Sequence, residues 1–316
     1  MKFCGVLNLD KPMGLTSRDV VNRVVRLVWP AKVGHAGTLD PLATGVLVVC
    51  VGHATRLISL AQEGRKRYLA RFVLGQCSDT DDITGQVTQG GDWTGVKLGD
   101  LERLLPQFVG RIQQVPPQFS AIHVQGERAY DLARRGEVVE LQARPVDVFA
   151  IRIVSFAAPV LELDIECGSG TYIRSLARDL GARLGCGAVM SDLRRLGVGP
   201  FLSSAAIAAD QLTLDNLAAN LQPAINLVQH LPKRFLSPDE VLAVRRGQGI
   251  SLGCLSGELL SEESPAGFLP ANASPPAEAR IALVGVDGQL LGMGEADFQE
   301  QRIRPRIVFP DCVFPD

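Results

Sequence analysis

Apolar and polar residues follow each other along the chain in patterns that predict both strands and helices. Val46 to Val51 is an unbroken run of six apolar residues, which is typical of a strand buried on both faces. Alternation with a period of two predicts half-buried strands at 68–74 and 161–167. Five valines recur at helical spacing after Ser17, so a helix with Ser17 as its N-cap is predicted there.

Further elements follow from the same rules. Phe3 to Leu9 is predicted as the first strand, and a stripe of leucines predicts a helix over 97–113. A Gly-Ser-Gly turn leads from the strand at 161–167 into a helix that starts at about Tyr172. Gly185 is expected to end this helix.

The organisation of the chain is expected to change near Leu231-Pro232, giving domains at 1–232 and 233–316. The second part contains a short predicted helix, a hairpin closed by Asp287-Gly288 and one more strand. The segment 256–278 is rich in Pro, Ser, Glu and Ala, which predicts a flexible insertion.

Lys32 to Leu57 is the stretch in which the composition itself points to a functional site, because a glycine-rich loop precedes the buried strand. Such a loop allows the backbone to approach a ligand closely, and it contains a single acid, Asp40. Pro41 favours an extended conformation at Asp40 and so partly sets the direction of the carboxylate. An Asp-Pro pair is also an ordinary turn initiator, and that interpretation stays open.

Composition excludes several classes of protein. With 316 residues, 46% of them hydrophobic, the chain is long enough for a large domain and a small one. No apolar run approaches the roughly 20 residues of a membrane helix, and a secretory signal region is absent. The seven cysteines and four histidines are scattered without metal-ligand spacing. We therefore expect a reduced, cytoplasmic protein that uses no metal and no cofactor.

Charge is distributed unevenly although the net charge is only −2. Residues 1–75 contain eleven Lys or Arg against four acids, a local net charge of +7, whereas acids gather at 79–102 and 258–263. A basic face on a near-neutral protein suits an RNA partner held over a limited patch. Solvated surface cations without a ligand are the alternative.

The sequence G-H-A-G-T-L-D-P-L-A-T-G-V-L, from Gly34 to Leu47, closely resembles the active-site motif of the bacterial tRNA pseudouridine-55 synthases. In that family the aspartate of the motif is the catalytic nucleophile, which here is Asp40. D-K-P-M-G-L-T-S at 10–17 is similar to the family's first motif, in which the residues matching Lys11 and Pro12 mainly support the active site. The resemblance is dense over residues 3–201 and loose beyond.

Two more motifs imply partners for Asp40. K-R-Y at 66–68 resembles the family motif whose tyrosine stacks on the target nucleobase. That tyrosine has also been considered as the general base that removes a ribose proton. The alternative for Tyr68 is an ordinary core tyrosine. G-T-Y-I-R-S at 170–175 resembles the motif whose arginine pairs with the nucleophile, and it implies substrate contact for Tyr172. Arginine suits this task because it presents a planar fork to a carboxylate. A surface arginine paired with Asp179 is the alternative for Arg174.

The remaining motifs concern the base and the RNA backbone. The same resemblance implies that Leu196 lines the pocket for the target base. It also implies that His35 stacks in the space that the flipped base leaves. The alternative for His35 is a loop histidine that is hydrogen-bonded to the backbone. The segment 116–136 resembles a family signature that leads into a mobile segment closing over the RNA, but His123 stands where the family has Lys. Three arginines are expected on the RNA backbone: Arg128, Arg134 and Arg135.

The acidic loop at 74–85 resembles the family's L-G-x-x-T-D-T-x-D-x-x-G, with Ser78 in place of the first Thr. Its Asp79, Asp81 and Asp82 could suggest calcium, but the glycine and distal Glu of an EF-hand loop are missing. These acids are expected to lie apart from Asp40, in a loop of their own.

The resemblance implies an α+β catalytic domain with a mixed, mostly antiparallel sheet and a small C-terminal β-rich module related to the PUA domain. It also implies that the chain isomerises a uridine in the T-arm of tRNA after flipping the base. We expect a monomer. Attack of Asp40 on C6, attack on C1′ and a glycal route all remain open. A tRNA-binding folding factor without chemistry is the alternative. An aspartate-nucleophile phosphotransferase or glycosidase should show a D-x-D pair or a second catalytic carboxylate, but the dense acids at 79–82 are expected in a separate loop.

Overall fold

The computed structural model describes residues 3–120, 123–124, 127–128, 132, 135, 140–255 and 278–309. The predicted insertion and the predicted mobile segment therefore lie almost wholly outside the described residues. The helices of the described residues are α1 Ser17–Val28, α2 Ile58–Glu63, α3 Leu98–Leu104, α4 Ile173–Leu184, α5 Leu214–Asn220 and α6 Pro238–Arg245. Short 3₁₀ turns occur at Gly52–Leu57, Leu105–Phe108, Ser203–Ala205 and Ala224–Val228.

The strands of the described residues fall into a first half and a second half of the chain. The first group is β1 Gly5–Lys11, β2 Val33–His35, β3 Thr44–Val51, β4 Lys66–Leu74, β5 Gln76–Ser78, β6 Val87–Gln89, β7 Gly110–Gln114, β8 His123–Val124 and β9 Glu127–Arg128. The second group is β10 Arg144–Ala157, β11 Val160–Cys167, β12 Ala188–Val198, β13 Phe201–Leu202, β14 Ile207–Ala208, β15 Lys233–Phe235, β16 Ile250–Ser251, β17 Glu278–Val284, β18 Leu290–Asp297 and β19 Arg302–Val308.

Ten strands of the described residues form one sheet, in the order β14-β1-β3-β12-β4-β11-β10-β7, with β13 beside β12 and β2 beside β3. Its pairs are antiparallel except β1 with β14 and β3 with β12. Five strands at the C-terminal end form a second sheet, in the order β15-β17-β18-β19-β16. The predicted α+β class, with a mixed and mostly antiparallel sheet plus a small β-rich module, is confirmed.

β3 is buried on both faces, as the run of valines predicted. Residues of one face, such as Leu47 and Val49, pack against α1, and residues of the other face, such as Val46 and Val48, join a second apolar cluster. That second cluster continues through Ala282 and other residues of the C-terminal sheet. β3 therefore packs against α1 on one face and against the second sheet on the other.

The N-cap of α1 differs from the prediction. Thr16 caps the helix in a capping box with Asp19, while Ser17 is the first helical residue. The Ser17 hydroxyl instead accepts a hydrogen bond from the Leu39 backbone N–H at 2.8 Å and donates one to the Leu39 carbonyl at 3.1 Å. The start of α1 is thereby fastened to the loop that contains Asp40.

The helix predicted over 97–113 is shorter in the structure. α3 covers Leu98–Leu104, a 3₁₀ turn follows, and β7 begins at Gly110. Pro106 cannot donate the backbone hydrogen bond that continued helix requires, and Gly110 adopts φ +99°. The leucine stripe thus spans two short elements, α3 and the 3₁₀ turn, which both contribute to one core.

Boundaries elsewhere move by a few residues. The first strand spans Gly5–Lys11 in place of 3–9, and the short helix predicted in the second part of the chain is α6, which begins at Pro238. α4 begins one residue after Tyr172 and ends at Gly185 with φ +77°, as predicted for a glycine C-cap. No helix among the described residues is both long and apolar enough to cross a membrane.

Candidate active site

The loop between β2 and β3 presents Asp40 at the edge of the core. The residue before it is held by the Ser17 hydroxyl, and the carbonyl of Pro41 accepts hydrogen bonds from the Gly14 backbone N–H at 2.8 Å and from Lys11 Nζ at 3.4 Å. The Asp40 side chain is 35% exposed. The carboxylate is thus accessible from solvent while the backbone on both sides of it is anchored.

Arg174 is the partner of Asp40. It extends from the first turn of α4 and is only 5% exposed. Its Nη2 donates a hydrogen bond to Asp40 Oδ1 at 3.3 Å, and its Nε lies 2.9 Å from Asp40 Oδ2. The guanidinium also donates to the carbonyls of Thr80 and Phe119, at 3.0 and 3.1 Å. The alternative pairing of Arg174 with Asp179 is not what the structure contains, since Arg178 makes that contact.

Asp82 joins the same cluster, contrary to the expectation that the acidic loop lies apart from Asp40. Its Oδ2 is 3.8 Å from Arg174 Nε, and it is 4% exposed. Its Oδ1 accepts hydrogen bonds from the Thr80 hydroxyl and from the backbone N–H and hydroxyl of Thr84. Arg174 therefore lies between two carboxylates, one accessible and one buried.

The surroundings of Asp40 act on its ionisation in opposite directions. Burial raises the pKa of Asp40 above its ordinary value, and the nearby charge of Asp82 adds to that increase. The positive charges of Arg174 and Lys11 lower it again. Burial also lowers the pKa of Lys11 to about 8, against the attraction of Asp40. The site holds a partly exposed carboxylate close to two cations.

Tyr68 lies on β4 and is 6% exposed, with its ring in the same apolar cluster as Leu39 and Ala43 of the loop around Asp40. Burial raises its pKa, a hydrogen bond and the charge of Arg195 oppose this, and the charge of Asp40 adds to it. Tyr68 is thus both a core residue and a neighbour of Asp40. The two interpretations of this tyrosine do not exclude each other.

Two of the other predicted residues lie on the elements that carry Asp40 and Arg174. His35 is half-buried on β2, and burial lowers its pKa, so the ring is neutral at pH 7. Tyr172 precedes α4; the buried side chain of Gln114 bonds both its N–H and its carbonyl, at 2.9 and 3.1 Å. The Arg144 guanidinium lies 5.3 Å from the Tyr172 ring centre, a cation–π contact.

Leu196 lies on β12 at an irregularity of the ladder. The pairing with β4 shifts between Arg195 and Gly197, so Leu196 is the extra residue of a β-bulge. A bulge redirects side chains, and here it separates half-buried Leu196 from buried Arg195. Leu196 thus lies on the strand next to β4, which carries Tyr68, and its place in the base pocket stays a prediction.

The residues expected on the RNA backbone are only partly described. The backbone of Arg128 lies in β9, opposite His123 of β8, and Arg135 is exposed with its N–H bonded to the Leu132 carbonyl. Arg134 and the side chains of Arg128 and His123 lie outside the described residues. Within the part of the chain that is described, no group of three or more His, Cys, Asp or Glu is placed to hold a metal ion.

Sequence reasoning missed three residues that support the site. Asp82 was set aside with the calcium alternative, although its motif position was noted. Gln114 and Arg195 gave no signal of their own, since a polar residue in a strand is ordinary. The burial of Arg195 could have been inferred from alternation with Leu193, because these two residues share one side of β12, opposite Tyr68 and Ala70 of β4.

Comparison with known proteins identifies the class first. The model for the N-terminal domain of TruB family pseudouridylate synthases matches residues 25–173, and the model for the C-terminal domain of tRNA pseudouridylate synthase B matches residues 174–242. The fold and the site therefore belong to the pseudouridylate synthases, a class of enzymes. Within that class, the chain belongs to the TruB family.

Individual relatives agree with this. The chain is 39% identical to tRNA pseudouridine synthase B of Brucella melitensis over 318 residues, covering 96% of this chain and 95% of the relative. It is 42% identical to the protein of that name from Geobacter sulfurreducens over 247 residues, covering 77% and 81%.

Solved structures share the fold. An H/ACA RNP bound to a substrate RNA containing 2′-deoxyuridine matches with a TM-score of 0.72 and 25% identity, covering 97% of this chain and 85% of that chain. A Cbf5-Nop10-Gar1 complex matches with a TM-score of 0.70 and 26% identity, covering 98% and 85%.

Proposed function

We propose that this enzyme converts uridine 55 in the T-loop of tRNA to pseudouridine, with Asp40 as the nucleophile. The observation that carries the proposal is the pairing of an accessible Asp40 carboxylate with a buried Arg174 guanidinium inside the family motif. The names of its relatives, tRNA pseudouridine synthase B, support the substrate. Burial of most of the site supports chemistry in which water must be kept from a detached sugar.

The reaction moves uracil from a nitrogen–carbon to a carbon–carbon bond with C1′ of the ribose. An aspartate suits this because its carboxylate can add to an electron-poor carbon and leave again without a metal. In our proposal Arg174 holds Asp40 in one direction, and Asp82, 3.8 Å from the same Nε, helps to keep the guanidinium in place. The carboxylate then needs no reorientation when the base arrives.

The target base must leave its stack in the T-loop before Asp40 can reach it, which costs about a few kcal/mol. We assign Tyr68 to stack on the flipped base, with Leu196 and Tyr172 beside it, and His35 to fill the vacated space. The low pKa of His35 supports its part, because a neutral ring stacks without the cost of desolvating a charge.

The exposed side of α1 is our candidate for contact with the RNA backbone. Arg18, Asn22 and Arg26 follow one another at intervals of four residues, are exposed and share one face. Trp29, just beyond the helix, is 79% exposed. Among the described residues, no carboxylate forms an ion pair with Arg18 or Arg26, so both are available for phosphate. Arg128, Arg134 and Arg135 remain part of the same proposal.

The test is to incubate the purified protein with unmodified tRNA and to map pseudouridine by sequence position. We expect modification at position 55 alone. Asp40→Asn should abolish it while tRNA binding stays within about tenfold, because phosphate contacts supply most of the affinity. Turnover by Asp40→Asn, with deamidation excluded by mass spectrometry, would refute the nucleophile. Binding without any product from the wild type would favour the folding-factor alternative.

A further inference from the structure

Arg195 is a buried cation that the reaction as proposed does not use. It is 1% exposed, the least exposed charged side chain of large volume together with Lys11. Among the described residues, no carboxylate forms an ion pair with it, whereas the preceding residue, Arg194, pairs with Asp10 at 2.6 Å. A buried charge without a counter-ion is unfavourable unless several dipoles compensate it, so its contacts need an explanation.

Three backbone carbonyls compensate Arg195, and they lie on both sides of Asp40 in the chain. Nε donates to the Val46 carbonyl on β3 at 2.7 Å. Nη1 and Nη2 donate to the carbonyls of Thr38 and Gly37 at 3.4 and 3.1 Å. One planar guanidinium therefore joins the start of the Asp40 loop to the strand that follows it.

Two glycines near Asp40 allow this arrangement in different ways. Gly45 of β3 has φ +97°, and a Cβ there would lie 2.2 Å from the Arg195 carbonyl oxygen. Gly37 of the loop has φ +111°, a backbone conformation that favours glycine, whereas a Cβ there would make only an ordinary contact of 3.6 Å with Arg195 Nη1. Only a residue without a side chain allows β3 to approach β12 so closely at Gly45. The loop with Asp40 is thus closed around Arg195.

Arg195 also contacts the second residue of the proposed chemistry. It is paired directly with Tyr68 across the ladder between β12 and β4, so both side chains lie on the same face. The charge of Arg195 lowers the pKa of Tyr68, against the larger effect of burial, which raises it. One side chain therefore bonds to the Asp40 loop and lies beside Tyr68.

We propose that Arg195 is a positioning residue of the active site, which sets the path of the loop bearing Asp40 and its place relative to Tyr68. The inference deepens the proposed function and rests on it. Arg195 acts through the carbonyls of Gly37, Thr38 and Val46 and does not touch substrate. Its loss should leave the fold and RNA binding in place while the carboxylate is displaced from its working position.

The test compares Arg195→Lys and Arg195→Met with Arg194→Met, a control at the adjacent, partly exposed arginine. Three quantities are measured for each: the single-turnover rate on unmodified tRNA, the Kd for tRNA, and hydrogen exchange of peptides covering the chain. We expect Arg195→Met to lose about 100-fold in rate, since misplacement of a reacting group by about 1 Å can cost that much. The rate of Arg195→Lys should lie between those of the wild type and Arg195→Met, because one ammonium cannot reach both the start of the Asp40 loop and β3.

The exchange measurement separates positioning from general stability. We expect faster exchange confined to the peptide covering 36–44 in both Arg195 variants, with α3 unchanged, and tRNA Kd within about threefold, since phosphate contacts supply the affinity. Arg194→Met should match the wild type in all three. Single-turnover rates within about threefold of wild type for both Arg195 variants, or faster exchange throughout the core, would overturn the proposal. Wild-type protein that makes no pseudouridine would refute the proposed function, and local exchange at 36–44 would still decide whether Arg195 sets the loop.

Discussion

Arg174→Lys keeps one positive charge beside Asp40 but removes the planar guanidinium. Arg174 donates to the Asp40 carboxylate at 3.3 Å and to the carbonyls of Thr80 and Phe119 at 3.0 and 3.1 Å. A single ammonium at the end of a flexible stem can keep the contact with Asp40, but it loses the two carbonyls. Both carbonyl contacts are present in the free enzyme, so their loss lowers the rate only by releasing the direction of the Asp40 carboxylate. Misplacement of a reacting group by about 1 Å can cost about 100-fold in rate, or about 2.7 kcal/mol.

The assay is pseudouridine formation under single-turnover conditions with enzyme in excess over unmodified tRNA, so that product release does not limit the rate. Arg183→Lys is the matched control, because Arg183 lies in the last turn of the same helix and, within the described part of the chain, donates a hydrogen bond only to the Gln107 side chain. Thermal unfolding of each variant establishes that the assay temperature lies below its transition. We expect the control to react at the wild-type rate.

A near-wild-type rate for Arg174→Lys would refute the reasoning, because the planar clamp would then contribute nothing beyond charge. A large loss of rate in both Arg174→Lys and the Arg183→Lys control would instead show that the rate depends on any substitution in α4. The informative result is a loss of about two orders of magnitude in Arg174→Lys alone, with unchanged tRNA affinity, since only an interaction stronger in the transition state lowers the rate in that way.

Two further predictions concern charge. The double variant Arg18→Gln, Arg26→Gln should reduce the slope of log affinity for tRNA against log salt concentration by about one to two units, since each lost phosphate contact removes nearly one unit. Binding titrations at several salt concentrations measure this slope. The control is the double variant Arg67→Gln, Arg71→Gln, which should leave the slope unchanged because these arginines are already paired with Asp164 and Glu162. An unchanged slope in the α1 variant would remove α1 from the RNA interface. Burial raises the pKa of Asp81 from 3.8 to about 6, although the charge of Arg178 lowers it. Folding therefore favours the protonated acid, and the stability that this group contributes is lost as the pH rises from about 4 to about 6. Relative to Asp81→Asn, the wild-type free energy of unfolding in urea should fall by about 3 kcal/mol between pH 4 and pH 7, and parallel curves for the two proteins would contradict the cause we assign.

Local sequence rules predicted much of this fold. The valine run of β3, the alternation of β4 and the glycine end of α4 depend on neighbours within a few residues, and the structure confirms them. The N-cap of α1 failed because Thr16 and Ser17 are both good caps, and only the contact of Ser17 with Leu39 decides between them. That contact joins residues 22 apart in sequence, which no local rule includes.

The site was predicted unevenly for the same reason. Asp40 and Arg174 were proposed from family motifs, and the structure brings them together; their catalytic roles stay predictions. Asp82 was missed as their neighbour because it reaches Arg174 only where the loop after β5 folds back against α4. Arg195 was missed because two adjacent arginines look alike in sequence, whereas on a strand one of them faces the core and the other does not.

The apolar cluster that joins β3 to the C-terminal sheet has a consequence for how the protein is made. Val46 and Val48 leave the ribosome long before Ala282 and Phe309, which belong to the same cluster and follow more than 200 residues later in the sequence. One face of the strand that follows Asp40 therefore stays incompletely covered until those later residues have been synthesised. Exposed valine-rich strands promote aggregation, so the nascent chain is vulnerable until the strands of the second sheet emerge.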